Sequence, residues 1–174
     1  MPENFNSDYK DTNVAKKFVR KYNMLSIFFA LGIFFILISF IPMLLIKAES
    51  FEIQYLTTII IAGIGFLMAI ISKLRLNSLR DESRLKYTVA AYDYLEKKGK
   101  DASKIFRRDA IIGILLIILT IVLYFLLTNK NTFIPENYIK YFVSFLILVF
   151  AIALFIIINS KGRRDAYKFI RENI

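Results

Sequence analysis

Four stretches of this chain contain no charged residue: 22–46, which is 25 residues long, and 53–72, 110–129 and 141–160, each 20 residues long. A hydrocarbon layer about 30 Å thick is crossed by roughly 20 helical residues rising about 1.5 Å each, so every one of the four is long enough. The alternative, four buried helices of a water-soluble domain, needs a polar covering layer that 174 residues cannot supply. Apolar residues make up 57% of the chain and mean hydropathy is +0.53, which overrides the single soluble domain that length alone suggests. The expected fold is all-α: a polytopic membrane protein with four transmembrane helices arranged as two consecutive hairpins, joined by a cytoplasmic amphipathic helix.

Charge gives the orientation. Segments 1–21, 73–109 and 161–174 hold 21 basic and 11 acidic residues. The two other connections hold Lys47, Lys130 and Lys140 against Glu49, Glu52 and Glu136, which sum to zero. The whole net charge of +10 thus falls on one side. By the positive-inside rule that side is cytoplasmic, which places both termini and the central linker there. Topology accounts for a charge that would otherwise invite a nucleic-acid reading, and no direct nucleic-acid binding is expected. The setting expected is a membrane, in particular a prokaryotic plasma membrane. No cleaved signal peptide is expected, because the first run exceeds a signal core and no small-residue cleavage site follows it.

In chain order the expected units are a polar N-terminal segment (1–22), a first hairpin (23–73), a helical linker (74–109), a second hairpin (110–160) and a basic C-terminal helix (161–174). Thr12 or Asn13 is placed to cap the first helix. Pro42 lies near the far end of the first span and predicts a kink there. In the second span, Ala62, Gly65 and Ala69 form a small-residue stripe at helical spacing. Helices in lipid associate through close van der Waals approach, so the stripe predicts a helix–helix contact, either with the first span or with another subunit. The basic groups Lys17 to Lys21 and Lys104 to Arg108 resemble one another in layout, as any junction between a cytoplasmic segment and a span does.

The linker, Lys73 to Asp109, carries eleven basic and six acidic residues. Residues 78–98 favour helix, with Leu85, Val89, Tyr92 and Leu95 on one face and Gly99 as a left-handed stop. A straight helix continuing from the second span to Lys98 would end roughly 37 Å below the membrane, and the nine residues that follow reach only about 30 Å back. Two arrangements satisfy that limit. The helix lies flat on the membrane, which its apolar stripe favours, or the third span also extends well below the surface.

The chain has no cysteine and no histidine, which removes disulfides, thiolate nucleophiles, the usual general base and the commonest metal ligand. Its aspartates are scattered and no Gly-rich phosphate loop accompanies them, so no enzyme activity, metal or cofactor is expected. One short motif occurs twice: Arg107-Arg108-Asp109 enters the third span and Arg163-Arg164-Asp165 leaves the fourth. Guanidiniums beside a carboxylate suit an anionic lipid headgroup or ion pairs between subunits. Spans without buried charge argue against proton relays and charge-lined filters but permit an oligomeric pore. The leading expectation is a self-associating membrane oligomer that forms a pore or perturbs permeability, as an effector does. The alternative is an accessory, regulatory or immunity-type subunit whose linker and C-terminal helix bind a partner protein. Expected partners are therefore a bilayer with anionic headgroups, further copies of the chain, and a cytoplasmic protein.

Overall fold

A computed structural model describes residues 4–45, 51–82, 89–128 and 135–172, and all but a few of them are helical. The elements are α1 (Asn4–Ile38), α2 (Phe40–Leu45), α3 (Phe51–Glu82), α4 (Val89–Thr128) and α5 (Glu136–Glu172). Four helices are long and apolar enough to cross a membrane. Each runs well past its apolar stretch at one end of the molecule, the end where α1 begins and α5 finishes, here called the basic end.

Those extensions replace the separate linker helix. Ser78 to Glu82 continue α3, whereas Val89 to Lys98 form the first turns of α4, which passes through Gly99 without a break. At about 1.5 Å per residue, α3 extends some 15 Å beyond its apolar run and α4 about 32 Å. The flat helix ending at Gly99 is therefore not formed; the third span's helix projects instead. Gly99 costs about 1 kcal/mol in a helix interior, and packing offsets it: Leu95 and Ala102 on the same helix are buried. A Cβ at Gly99 would meet Tyr167 at an ordinary 3.5 Å. Likewise the C-terminal basic segment is the continuation of α5, and α1 begins before the expected caps, at Asn4.

Pro42 acts slightly upstream of where its ring sits. Its missing N–H and its ring disturb the carbonyl four residues earlier, at Ile38. There α1 ends, Ser39 forms a turn, and α2 resumes. The Ser39 hydroxyl donates to the Ile36 carbonyl at 2.7 Å, which occupies one acceptor at the break.

The helices stand in the spatial order α3, α1, α5, α4: α1 packs on α3 and α5, and α5 packs on α1 and α4. Among the described residues no comparable packing joins α3 to α4, so the array is an open row and not a closed square. At most 22% of any apolar window is buried within the chain. Ile59, Phe66 and Leu67 of α3 and Ile118, Phe125 and Leu126 of α4 are exposed, and only lipid or another protein surface suits them.

Two kinds of contact hold the row. In the apolar part, α1 and α3 touch backbone to backbone. A Cβ on Gly65 would fall 2.7 Å from the Gly32 carbonyl oxygen and 2.9 Å from the Ile36 nitrogen. At the basic end, Ala15, Phe18, Val19 and Tyr22 of α1 form one core with Leu76 of α3, Leu95 of α4, and Ala166 and Ile170 of α5. Phe18 stacks on Phe169 with ring centres 5.5 Å apart. All four long helices therefore meet in a small bundle outside the apolar region.

Candidate functional site

A strongly basic concavity lies on that bundle, between α4 and α5. Lys100, Lys104 and Arg107 recur along α4 at steps of four and three residues, which aligns them on one helical face. Arg164, Lys168 and Arg171 recur along α5 with the same steps. Antiparallel packing sets the two faces opposite each other, and together with Leu95, Glu96, Gly99, Ser103 and Tyr167 they line a groove of about 390 Å³.

Only part of this charge is neutralised locally. Glu96 accepts from Lys100 at 2.7 Å, a contact that holds the Glu96 carboxyl below the usual carboxylate range. Lys168 reaches Glu172 at 3.5 Å, and Arg164 reaches Asp165 at 2.9 Å while its guanidinium lies 4.1 Å from the centre of the Phe106 ring. Among the described residues Lys104 and Arg107 have no carboxylate within ion-pair distance. Two facing rows of cations repel each other, and exposed pairs return at most about 1 kcal/mol each. An anion shared between the rows would remove that repulsion, so the groove is suited to a multiply negative ligand.

The residues singled out in the sequence divide between this site and other places. Arg107 and Arg164 line the groove. Arg108 turns to its neighbour Asp109 at 2.9 Å, and Arg163 is exposed outside the groove. Asp165 lines a second cavity, walled by α1, α3 and α5. Both Arg–Asp contacts are between adjacent residues of one chain. Leu95 is 3% exposed in the four-helix core, so it serves packing and not lipid contact. Leu85 lies outside the described residues, as do the side chains of Val89 and Tyr92. Gly65 and Ala69 are buried against Gly32 and its neighbours on α1, and Ala62 is half-buried on the same helix. At Gly65 and Ala69 the stripe thus packs within the chain.

Lys100, Lys168 and Arg171 went unmarked in the sequence, and Lys104 figured there only as part of a basic junction, although the repeated spacing of four then three was there to read. Arg80 was missed as well. It donates to the Tyr22 hydroxyl, lies 5.3 Å from the Tyr22 ring centre and 6.0 Å from that of Phe169, and keeps a buried Nε without an acceptor. Its signal is positional: it sits seven residues beyond Lys73, two turns along the same face of α3.

Several hydroxyls within the apolar runs serve their own helices. Thr120 donates to the Leu116 carbonyl at 2.8 Å, Ser144 to that of Lys140 at 2.8 Å and Ser160 to that of Ile156 at 2.9 Å. Comparison with protein-family models, curated proteins and solved structures gives no significant match to this chain.

Proposed function

We propose that this is a non-catalytic integral membrane protein, an accessory or regulatory subunit whose α4–α5 groove receives an acidic segment of a partner protein. In this reading the basic end lies in the cytoplasm of a prokaryotic cell, with both termini and the α3–α4 connection, as the charge asymmetry favours. The observation that carries it is the facing of two cation rows on helices that project beyond their apolar runs.

Depth argues for a protein partner over a bilayer. Arg107 stands three residues before the apolar run that begins at 110, and Leu95 stands fifteen before it. Along an upright helix the groove therefore spans from about 5 Å to about 22 Å outside the hydrocarbon. The headgroup layer occupies only about 5–8 Å per leaflet. Most of the groove lies past the lipid, where acidic side chains supply the complementary charge and set the register of docking.

The test is site-specific photo-crosslinking from Ser103 in native membranes. A discrete protein adduct that disappears in the double variant Lys104→Glu, Arg107→Glu supports the proposal. Adducts to lipid alone, or protein adducts indifferent to the charge reversal, overturn it.

One observation favours self-association as a second reading. Gly63 lies mid-span on α3 with no heavy atom within 4 Å of the place its Cβ would take, beside exposed Ile59, Ile60 and Leu67. A helix of a second copy would fit that notch. A monodisperse oligomer in detergent that Gly63→Leu converts to monomer supports this reading, and conductance in liposomes would make it a pore. A monomer at all concentrations counts against it.

A further inference from the structure

Where α1, α3 and α5 converge at the basic end they enclose a cavity of about 180 Å³. Lys73 and Arg80 line it from α3 and Lys161 from α5. Among the described residues none of these three cations has a carboxylate within ion-pair distance. The wall includes one carboxylate, Asp165, and Arg164 already holds it at 2.9 Å. Asn77 adds an amide to the lining. The Arg80 Nε is buried with no acceptor, although the rest of its guanidinium is stacked and bonded against Tyr22. A buried donor in that state calls for an acceptor.

Depth and size narrow the occupant. Lys73 and Lys161 are the first charged residues after the apolar runs 53–72 and 141–160, so the cavity begins at the level of the lipid headgroups, and Arg80, eight residues past its run, reaches about 12 Å beyond the hydrocarbon. It is too small for a peptide helix, which is about 10 Å across. We infer that this three-helix cavity is a phosphate site, in which Arg80 supplies planar donors and Lys73 and Lys161 the flanking charge. A phospholipid headgroup and a soluble phosphate ester offer the same group. The inference rests on the membrane reading of the apolar helices and not on the partner proposed for the α4–α5 groove.

The experiment is native mass spectrometry of the full chain released from micelles containing equal phosphatidylglycerol and phosphatidylcholine. The expected result is retention of one phosphatidylglycerol in preference to phosphatidylcholine. Lys161→Gln changes an exposed side chain and leaves the helix packing intact. It should lower that retention about fivefold, the effect of one interfacial cation. Arg80→Gln should lower it at least as far. Arg75→Gln, between Lys73 and Arg80 in depth on α3 but outside the cavity, should leave it unchanged. Equal retention of the two lipids, wild-type retention by Lys161→Gln, or an equal loss in Arg75→Gln overturns the site. Added glycerol phosphate distinguishes the sources. Displacement of the lipid at millimolar concentration assigns the cavity to soluble phosphate esters, and indifference assigns it to the headgroup. The crosslink from Ser103 is read independently, so either proposal can fail while the other stands.

Discussion

Replacing Gly65 and Gly63 by alanine, one at a time, isolates the close approach of α1 and α3. The two glycines sit two residues apart on one helix, so the intrinsic gain of alanine over glycine, about 0.8–1 kcal/mol, is common to both. What differs is the space. The new methyl of Gly63→Ala would enter open surroundings. That of Gly65→Ala would stand 2.7 Å from the Gly32 carbonyl oxygen and 2.9 Å from both the Ile36 nitrogen and the Phe35 Cβ. Two of these neighbours are backbone, and they cannot rotate away. Restoring an ordinary carbon contact of about 3.5 Å therefore requires the helices to part by some 0.6–0.8 Å. A gap of that size forfeits a quarter to a half of each contact's attraction along the seam, and overpacking of this kind costs about 1–3 kcal/mol. Gly65→Ala should thus be about 1–3 kcal/mol less stable than Gly63→Ala, with Gly63→Ala equal to or slightly above wild type. Unfolding titrations in mixed micelles followed by circular dichroism measure the difference, at dilutions where any self-association through Gly63 is absent. Equal stabilities for the two variants would refute the backbone contact.

Three further perturbations test other parts of the molecule. Leu95→Ala removes a side chain from the four-helix core and should cost about 2–5 kcal/mol; a linker lying flat on lipid would instead lose membrane contact with unchanged stability in micelles. Glu96→Gln deletes the groove's carboxylate partner of Lys100 and should tighten binding of a polyglutamate peptide about fivefold, equivalent to about 1 kcal/mol for a unit charge some 4 Å away in a high dielectric; unchanged affinity in a salt titration would show that the peptide binds elsewhere. Pro42→Ala should let α1 run through Ser39, so that spin labels at positions 28 and 44 separate toward the roughly 24 Å of a straight helix; an unmoved distance distribution would place the cause of the break outside the proline.

The four apolar helices were legible because a run of 20 residues without charge has few physical outcomes. Their lateral order was not. Each run is apolar around its whole circumference, so nothing in Ile59 or Ile118 says which side meets lipid and which meets a neighbour. Gly99 misled for a definite reason. Glycine after two lysines resembles a helix stop, yet the buried faces of Leu95 and Ala102 on either side of it keep the helix going. Tertiary packing there outweighs a local preference of about 1 kcal/mol. The groove was half legible. The steps of four and three in Lys100, Lys104 and Arg107, and again in Arg164, Lys168 and Arg171, are visible in the chain. That the two rows face each other follows from helix packing and leaves no local mark. Arg80 shows the same limit, since its partners Tyr22 and Phe169 come from the two ends of the sequence.

The spatial order α3, α1, α5, α4 also fixes a sequence of events in time. Of the four long helices, the two at the centre of the row come first and fourth in chain order. While the middle of the chain is being made, the side of α1 that will meet α5 has no permanent neighbour. That side includes Ser26, against which Gly162 finally closes with no room for a side chain. The nascent protein must therefore keep a slightly polar helix surface in waiting until α5 has been made. Packing of α5 covers that surface, so α1 gains its full set of neighbours only once α5 has been made.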